Sequence, residues 1–321
     1  CCGILILYRK VKTGAVTAQS GDPQHDPTGK GDRSVHYVQA KSILSAQNGM
    51  NLYRGCTHGC IYCDSRSECY SFTHDFEDVE IKQNAPELLE AALRRKRARC
   101  MISTGSMCDP YLPLEKTERL TRRCLEIIDR YGFGATVLTK SDLVLRDIDL
   151  FQSIHRKAKC VVQMTLTTCD EALCRVLEPN VATTRRRVEA LLELKKAGIP
   201  TVVWLTPLLP FINDTEANVR GLLAYCEEAD VKGILTFGAG MTLRNGDREY
   251  YYQKLDEYFP GLKQRYIQTY GNAYELQSPN APLLHGLMQE FCAERGVLFG
   301  ADTVFDYLST LEPKAEQTTF L

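Results

Sequence analysis

Short apolar, β-branched runs alternate with longer amphipathic segments along this chain from about Ser34 onward. The amphipathic segments carry apolar residues at three- and four-residue spacing, and the pattern recurs every ~30 to 40 residues, as successive βα units do. Strands that are joined by such helices form parallel sheets with right-handed connections. The pattern therefore predicts an α/β fold whose parallel sheet curls toward a barrel.

This pattern places six strands and five helices along the chain. The predicted strands are 51–54, 100–104, 135–139, 161–166, 201–206 and 233–237, and the predicted helices are 85–99, 115–131, 147–157, 184–197 and 215–229. In sheets of this kind, functional sites are built at the carboxyl ends of the strands. We therefore expect the functional residues directly after the predicted strands.

Three regions differ in composition. Residues 1–33 are rich in Gly, Thr, Asp, Gln and Lys, and bury too little apolar surface to offset the entropy of ordering, so they are predicted to form a poorly ordered N-terminal extension. Residues 34–240 contain the βα pattern and are predicted to form the core partial barrel. Residues 241–321 are predicted to form a helical C-terminal extension that packs on this core.

Composition and charge narrow the class of protein. The 321-residue chain is 44% hydrophobic with a formal net charge of -1, so no overall field attracts nucleic acid, and such a partner remains possible only through a local basic patch. No apolar run approaches the ~20 residues of a membrane span, so no membrane partner is expected. The 14 cysteines form no disulfide framework, which predicts a reducing, cytoplasmic location.

The strongest chemical signal is the run Arg-Gly-Cys-Thr-His-Gly-Cys-Ile-Tyr-Cys at residues 54–63. Cys56, Cys60 and Cys63 can hold three corners of an iron–sulfur cube, which leaves the fourth iron open to a small molecule. Gly55 and Gly59 let the backbone fold closely around a bulky group.

Zinc is the alternative metal for this loop, because His58, His74 or Cys69 offer a fourth ligand. Zinc ribbons usually contain two Cys-x-x-Cys pairs, and the sequence has no second pair near the first. Two alternative functions stay open. If the loop binds zinc, the protein is a zinc-stabilised nucleic-acid-binding module; if the loop binds a cluster without catalysis, the protein is an iron–sulfur redox sensor.

The cysteine spacing, with Tyr62 just before the last cysteine, resembles the signature of the radical S-adenosylmethionine (SAM) enzymes. The resemblance implies a [4Fe-4S] cluster on the three cysteines and reductive cleavage of SAM to methionine and a 5'-deoxyadenosyl radical, which abstracts hydrogen from a substrate. It also implies an incomplete (β/α)6 TIM-type barrel, an electron donor such as flavodoxin or ferredoxin, and contact between the Tyr62 backbone and adenine.

Further motifs resemble the spore photoproduct lyase-like subgroup over about residues 34–310. They are Asp-Pro-Tyr-x-Pro-Leu-Glu at 109–115, Thr-Lys-Ser at 139–141 and Leu-Glu-Pro at 177–179. This resemblance implies a lyase-like reaction or the repair or modification of nucleic acid, with the substrate left unidentified.

The resemblance implies that the loop after strand 100–104 holds the SAM amine, which makes Thr104, Gly105, Ser106 and Asp109 cofactor-binding candidates. Lys140, after the next strand, offers a compact positive charge for the SAM carboxylate. Ordinary alternatives exist for both segments. Gly and Asp-Pro suit any strand-to-helix loop, and a lysine at a strand end is usually solvated.

Thr165 and Thr167 lie in the polar tail of strand 161–166 and could bond the ribose or the carboxylate of SAM, or could simply be bonded to neighbouring strands. Arg187 also fits the subgroup and could reach the cofactor. Its neighbours Arg185 and Arg186 are basic too, and such a run is usually a solvated helix face.

Cys108 is the candidate catalytic residue. The resemblance implies a hydrogen-donating cysteine shortly before the aspartate of its loop, but an ungapped match places Ser106 at that position and Cys108 directly before Asp109. Cys108 is therefore expected to act from a shifted position, and dimer repair itself is left open.

Overall fold

A seven-stranded parallel sheet forms the centre of the molecule. The computed structural model describes residues 35–311, so the predicted extension at 1–33 lies outside the described residues. The strands are β1 (Val35–Val38), β2 (Gly49–Met50), β3 (Tyr53–Arg54), β4 (Val79–Lys82), β5 (Met101–Thr104), β6 (Gly134–Thr139), β7 (Cys160–Thr165), β8 (Thr201–Trp204), β9 (Gly233–Leu235), β10 (Gly240–Thr242), β11 (Glu275–Gln277) and β12 (Leu298–Phe299). The helices are α1 (Ala85–Arg95), α2 (Glu115–Glu118), α3 (Leu120–Tyr131), α4 (Ile148–Lys157), α5 (Glu171–Leu177), α6 (Thr184–Lys196), α7 (Glu216–Ala229), α8 (Asp247–Tyr258), α9 (Leu262–Tyr270), α10 (Ala281–Arg295) and α11 (Ala301–Ser309).

The sheet has the strand order β12-β9-β8-β7-β6-β5-β2, and every neighbouring pair is parallel. From β5 to β9 the strands follow one another in chain order, as right-handed βα connections require. The predicted α/β class and parallel sheet are confirmed. The count of six βα units stays a prediction.

The two ends of the sheet differ from the predicted strands. The strand predicted at 51–54 is replaced by β2, which pairs with β5, and by β3, which pairs antiparallel with β4 in a separate sheet of order β1-β4-β3. At the other end, β12 joins the main sheet from the region predicted to be helical. Strands of two residues are too short for a periodic pattern to reveal.

The two faces of the sheet bury different layers. Successive side chains of a strand point to opposite faces, so Val162 packs in the core beneath the outer helices while its neighbour Val161 packs on the other face. On that second face, Trp204 shares a cluster with Val304 and Leu308 of α11. The last helix of the described chain therefore covers part of the inner face of the sheet.

The helix predicted at 115–131 is divided at Arg119, whose φ is 50°. The break has a local cause, because the buried Glu115 carboxylate accepts a hydrogen bond of 2.7 Å from the Thr121 backbone N–H. The chain turns back at Arg119 to make this bond, and α3 then begins. Among residues 35–311, no helix has the length and hydrophobicity that a membrane-spanning segment requires.

Candidate active site

The three cysteines of the predicted cluster motif face one cavity, which is also lined by His58, Met107, Cys108 and Asp109. All three are free thiols, with Cys60 and Cys63 buried and Cys56 partly buried. The cavity lies where the loop after β3 meets the loop after β5. The structure thus brings together the residues that the sequence predicted to bind metal and the loop predicted to bind its ligand.

Backbone hydrogen bonds hold the cysteine loop on both sides. The Cys56 N–H donates to the Phe76 carbonyl at 2.9 Å, and the Ile61 N–H donates to the Leu177 carbonyl at 3.0 Å. Gly55 has φ +88°, and a Cβ at this position would lie 2.6 Å from the Phe76 carbonyl oxygen. Only glycine fits this approach of the cysteine loop to the chain before β4.

The spacing of the thiols does not suit a single zinc ion. Tetrahedral zinc with thiolates at ~2.3 Å needs sulfur atoms about 3.8 Å apart. Among residues 35–311, the three thiols do not form a set of ligand atoms within 4.8 Å of one another, with or without a histidine. An iron–sulfur cube spreads its thiolate ligands over separate iron atoms, so three thiols that face one cavity without meeting at one point fit such a cluster better than one ion.

His58 is engaged with the site residues around it. Its Nδ1 lies 3.5 Å from the Asp109 Oδ2. Burial opposes protonation of the imidazole, but the charges of Cys56 and Asp109 outweigh it and raise the His58 pKa. His58 therefore pairs with its neighbours, and its position in the cavity suits a residue that orients the loop.

Cys108 lies against the cysteine loop. Its Sγ is 2.7 Å from the Gly55 carbonyl oxygen, to which the thiol donates. The neighbouring Cys108 side chain lowers the pKa of the Cys56 thiol, although burial opposes this, and burial followed by the neighbouring Cys56 side chain raises the pKa of Cys108. The predicted hydrogen donor is thus a protonated thiol at the edge of the cysteine cavity.

Asp109 uses both carboxylate oxygens within the protein. Oδ1 accepts hydrogen bonds from the Tyr111 N–H at 2.8 Å and the Thr139 hydroxyl at 2.6 Å, and Oδ2 accepts one from the Lys140 N–H at 2.7 Å. Asp109 therefore joins the loop after β5 to the end of β6. Its geometry is that of a residue that positions Lys140.

Lys140 is fully buried, and its Nζ has no hydrogen-bond partner in the structure. An unpaired buried amine is costly, and most buried polar groups have partners. Burial lowers the Lys140 pKa to about 8, while the charge of Glu178 acts in the opposite direction. The solvated alternative for this lysine is wrong, and the amine is suited to an anionic ligand such as an amino-acid carboxylate.

The two candidate threonines at the carboxyl end of β7 differ in their hydrogen bonds. The Thr165 carbonyl accepts a hydrogen bond from Arg187 at 2.8 Å. Thr167 is fully buried with a hydroxyl that lacks a partner, while its carbonyl accepts hydrogen bonds from Asn213 and Asn218. The Thr167 hydroxyl and the Lys140 amine are thus two orphaned buried polar groups that lie after adjacent strands.

The loop after β5 contains the remaining candidates for SAM binding. Thr104 is buried at the end of β5, and the Ser106 hydroxyl lies 3.5 Å from the Asn51 side-chain oxygen. Gly105 has φ +101°, and a Cβ there would lie 2.1 Å from the Leu138 carbonyl oxygen. Gly105 therefore lets the loop pass directly against β6.

Arg187 is completely buried and is occupied by protein groups. Its Nε donates to the Ala182 carbonyl at 2.7 Å, and its Nη2 donates to the Glu178 carboxylate. The same carboxylate accepts a hydrogen bond from the Tyr62 hydroxyl. Although burial opposes ionisation, the charges of Arg187 and then Lys140 lower the Glu178 pKa. The solvated-face alternative is wrong for Arg187, whose contacts fix Tyr62 beside the cysteines.

In the subgroup motif at 109–115, Tyr111 and Glu115 hold the loop in place through hydrogen bonds. Tyr111 donates its hydroxyl hydrogen bond to Asp147 at 2.9 Å, and Glu115 accepts hydrogen bonds from the Tyr53 hydroxyl and from Arg146. These three partners are not among the residues that line the cysteine cavity. The motif thus anchors the loop after β5 while Asp109 faces the site.

Two residues of the site, Glu178 and Asn180, were not identified as functional residues from the sequence. Glu178 links Tyr62 to Arg187, and the side-chain amide of Asn180 donates to the Thr57 carbonyl at 3.0 Å within the cysteine loop. The Leu-Glu-Pro motif that contains Glu178 marked this segment. No pattern in the sequence indicates that the Glu178 carboxylate meets Tyr62, which lies more than 100 residues earlier.

Comparisons with known proteins agree with this geometry. A profile described as the Radical SAM superfamily matches residues 50–223. An uncharacterised protein of Methanocaldococcus jannaschii is 33% identical over 181 residues, which cover 56% of this chain and 67% of that protein.

Solved structures of spore photoproduct lyase variants share the fold. One has a TM-score of 0.61 at 13% identity and covers 87% of each chain. Another, with bound AdoMet and dinucleoside spore photoproduct, has a TM-score of 0.56 at 14% identity and covers 78% of this chain and 74% of that one. At these identities the comparison establishes the fold and leaves the reaction open.

Proposed function

This chain belongs to the radical SAM superfamily, and we propose that it is a lyase-like enzyme that acts on a nucleic-acid-derived substrate. Enzymes of the superfamily bind SAM and a [4Fe-4S] cluster and need an electron donor. When bound, the cluster and SAM supply a 5'-deoxyadenosyl radical that abstracts hydrogen. The SAM chemistry in this proposal rests mainly on one observation. Three thiols face one cavity near the buried Lys140 amine, which has no hydrogen-bond partner.

Within this proposal, Cys56, Cys60 and Cys63 hold the cluster at three corners and leave the fourth position for the amino-acid end of SAM. Burial raises the pKa of Cys60 and of Cys63. Ligation must therefore displace protons from thiols that are neutral before the metal enters, so loading is expected to release protons.

Lys140 meets the carboxylate of SAM, because this ligand provides the partner that its buried amine lacks. Thr104 and Ser106 receive the amine of SAM at the end of β5. Thr165 ends β7 and Thr167 follows it, and both are proposed to bind the ribose or the carboxylate of SAM. The Thr167 hydroxyl supports this role because it has no hydrogen-bond partner within the protein.

Three of the predicted cofactor-binding residues act through their neighbours. Asp109 holds the Lys140 backbone, Gly105 lets its loop approach β6, and Arg187 holds Glu178. Glu178 in turn accepts the Tyr62 hydroxyl bond, which keeps the Tyr62 backbone in place to contact adenine. These residues shape the site and need not touch SAM.

Cys108 is proposed as the hydrogen donor to a substrate radical. A thiolate has no hydrogen atom to donate, so a hydrogen donor must be a protonated thiol. Burial raises the Cys108 pKa and so favours the protonated form. Its place on the cavity wall beside the cysteine loop supports a position near the reacting centre.

The substrate class is proposed from the shared fold with spore photoproduct lyase, one structure of which holds a dinucleoside. The near-zero formal net charge of -1 makes a short oligonucleotide or nucleoside a better candidate than long duplex DNA. Flavodoxin or ferredoxin is proposed as the electron donor.

The test is a substrate panel. The anaerobically reconstituted, reduced protein is incubated with SAM and ultraviolet-irradiated oligonucleotide, the same oligonucleotide without irradiation, or a peptide mixture, and 5'-deoxyadenosine is quantified. We expect irradiated or modified nucleic acid to raise the yield above the substrate-free rate. A rise with peptides alone would refute the nucleic-acid assignment while leaving the SAM chemistry intact.

A further inference from the structure

A second group of metal-binding side chains lies outside the cysteine cavity. His36 of β1, His74 of the loop before β4 and Glu80 of β4 each offer a ligand atom, and these atoms all lie within 4.8 Å of one another. We propose that these three residues bind a divalent transition-metal ion in a site separate from the cysteine cavity. The proposal does not depend on the reaction proposed above.

The hydrogen bonds of His74 favour a metal. Its Nδ1 lies 2.9 Å from the Asp75 carbonyl oxygen, which can only accept, so this nitrogen carries a proton. Its Nε2 then faces the Glu80 carboxylate at 2.8 Å. The Nε2 lone pair and the Glu80 carboxylate thus point to the same space, as two ligands of one metal ion do. A carbonyl on the far nitrogen is the usual arrangement for a histidine that ligates a metal.

His36 completes the pair of imidazoles. Its ring lies edge-on to the His74 ring with centroids 4.9 Å apart, and its Nδ1 is 3.0 Å from the Asp78 carboxylate. Asp78 also lies 3.9 Å from the His74 Nδ1. A carboxylate next to both rings can orient them. Two ligands at ~2.1 Å from a tetrahedral ion are about 3.4 Å apart, so small side-chain movements close the site.

One cation already contacts this group. The Arg54 Nη1 lies 3.3 Å from the same Glu80 oxygen that faces His74, while the Arg54 Nη2 donates to the carbonyls of Tyr70 and Ser71. A carboxylate has two oxygens and about four lone-pair sites. Glu80 can therefore bind a metal and keep its Arg54 contact.

The partly buried position suits a structural ion. The side chains of His74 and Glu80 are 17% and 14% exposed, which admits an ion from solvent but shields it once bound. Two imidazoles and a carboxylate match zinc and the other first-row divalent ions. The ion would join β1, β4 and the loop before β4, and that loop includes the Phe76 carbonyl that holds the Cys56 backbone. The site thus braces the chain that supports the cysteine loop.

The experiment separates this site from the cysteines. In a Cys56→Ser, Cys60→Ser, Cys63→Ser variant of the full chain, Zn²⁺ is titrated by competition with a chromogenic chelator. We expect one equivalent to bind, and His36→Ala or His74→Ala added to this variant to weaken binding at least ~10-fold. His285→Ala, an exposed histidine on α10, is the matched control and should bind as the parent does.

A second measurement uses the wild-type holoprotein, with cysteines and cluster in place. We expect zinc analysis to find one ion per chain, His74→Ala to lose that ion while keeping its iron and sulfide, and Zn²⁺ to raise the melting temperature of wild type but not of His74→Ala. Absence of Zn²⁺ binding by the variant that lacks the three cluster cysteines, or equal binding after both histidine substitutions, would overturn the proposal and leave His74 and Glu80 as a hydrogen-bonded pair without a metal.

Discussion

The Lys140 amine lies 5.8 Å from the centre of the Tyr62 ring, on the residue that directly precedes Cys63. This relationship places the buried amine of the site, which has no hydrogen-bond partner, beside the cysteine loop, although Lys140 directly follows β6 and Tyr62 lies in a loop almost 80 positions earlier. A ligand that is bound at the cysteines and carries a carboxylate can reach both the cysteine loop and the Lys140 amine. The predictions below depend mainly on this arrangement.

Replacing Lys140 with methionine should weaken SAM binding without removing the cluster. Loss of one charge-assisted hydrogen bond costs ~1.5–3 kcal/mol, or about a 10- to 100-fold rise in the SAM dissociation constant. Equilibrium dialysis on the reconstituted protein measures this constant, and iron and sulfide analysis checks loading. Lys157→Met, on the exposed end of α4, is the control. Equal SAM affinity in both variants would show that Lys140 does not meet the cofactor.

SAM affinity should fall as the pH rises through about 8. The unliganded Lys140 pKa is lowered to about 8 by burial, and a bound carboxylate favours the protonated amine and raises this pKa. Below pH 8 the amine is already charged, so binding is at full strength; above it, binding must also take up a proton. Dissociation constants measured from pH 7 to 9.5 test this. In Lys140→Met this part of the pH dependence should vanish.

Arg187→Met should destabilise the fold strongly. The change leaves the Glu178 carboxylate buried without its ion-pair partner, and removing one member of a buried pair costs ~3–5 kcal/mol. Arg186→Met is the control, because Arg186 is the exposed neighbour whose pair with Asp142 is screened by solvent and contributes little to stability. Urea unfolding of the cluster-free proteins gives both free energies. A small loss for Arg187→Met, combined with weaker SAM binding, would instead indicate direct cofactor contact.

Cys108→Ala should keep the cluster and the cleavage of SAM but lose the product of the substrate reaction. The thiol lies on the cavity wall and is not among the three ligands, so its removal takes away only the proposed hydrogen donor. Iron content, 5'-deoxyadenosine and substrate product are measured together once a substrate is found. Cys124→Ala, within α3, controls for the loss of a buried thiol. Loss of iron from Cys108→Ala would assign this residue to support of the cysteine loop.

The main sheet was predictable because its central strands are long enough to carry a pattern. The strands β6 and β7 have six residues each and are buried on both faces, and such runs stand out between amphipathic helices. The two-residue strands β2 and β12 at the sheet ends have no periodicity to detect. Their places follow from long-range pairing, which a single sequence does not reveal.

Within the site, the cysteines were predictable because their chemistry depends on local spacing. The roles of Asp109 and Arg187 were not, because each depends on partners outside its own motif: Thr139 and Lys140, about 30 residues away, for Asp109, and Glu178, on the far side of a turn, for Arg187. A sequence motif marks such residues without telling whether they touch a ligand or hold a neighbour.

The most direct test of the central claim is the cleavage of SAM by the loaded, reduced protein. Wild type and a Cys60→Ala variant are reconstituted anaerobically with iron and sulfide, reduced with dithionite and incubated with SAM, and 5'-deoxyadenosine is quantified by chromatography. We expect 5'-deoxyadenosine to accumulate with wild type and not with Cys60→Ala. A wild-type protein that carries a full [4Fe-4S] cluster and binds SAM, yet forms no 5'-deoxyadenosine, would contradict the account.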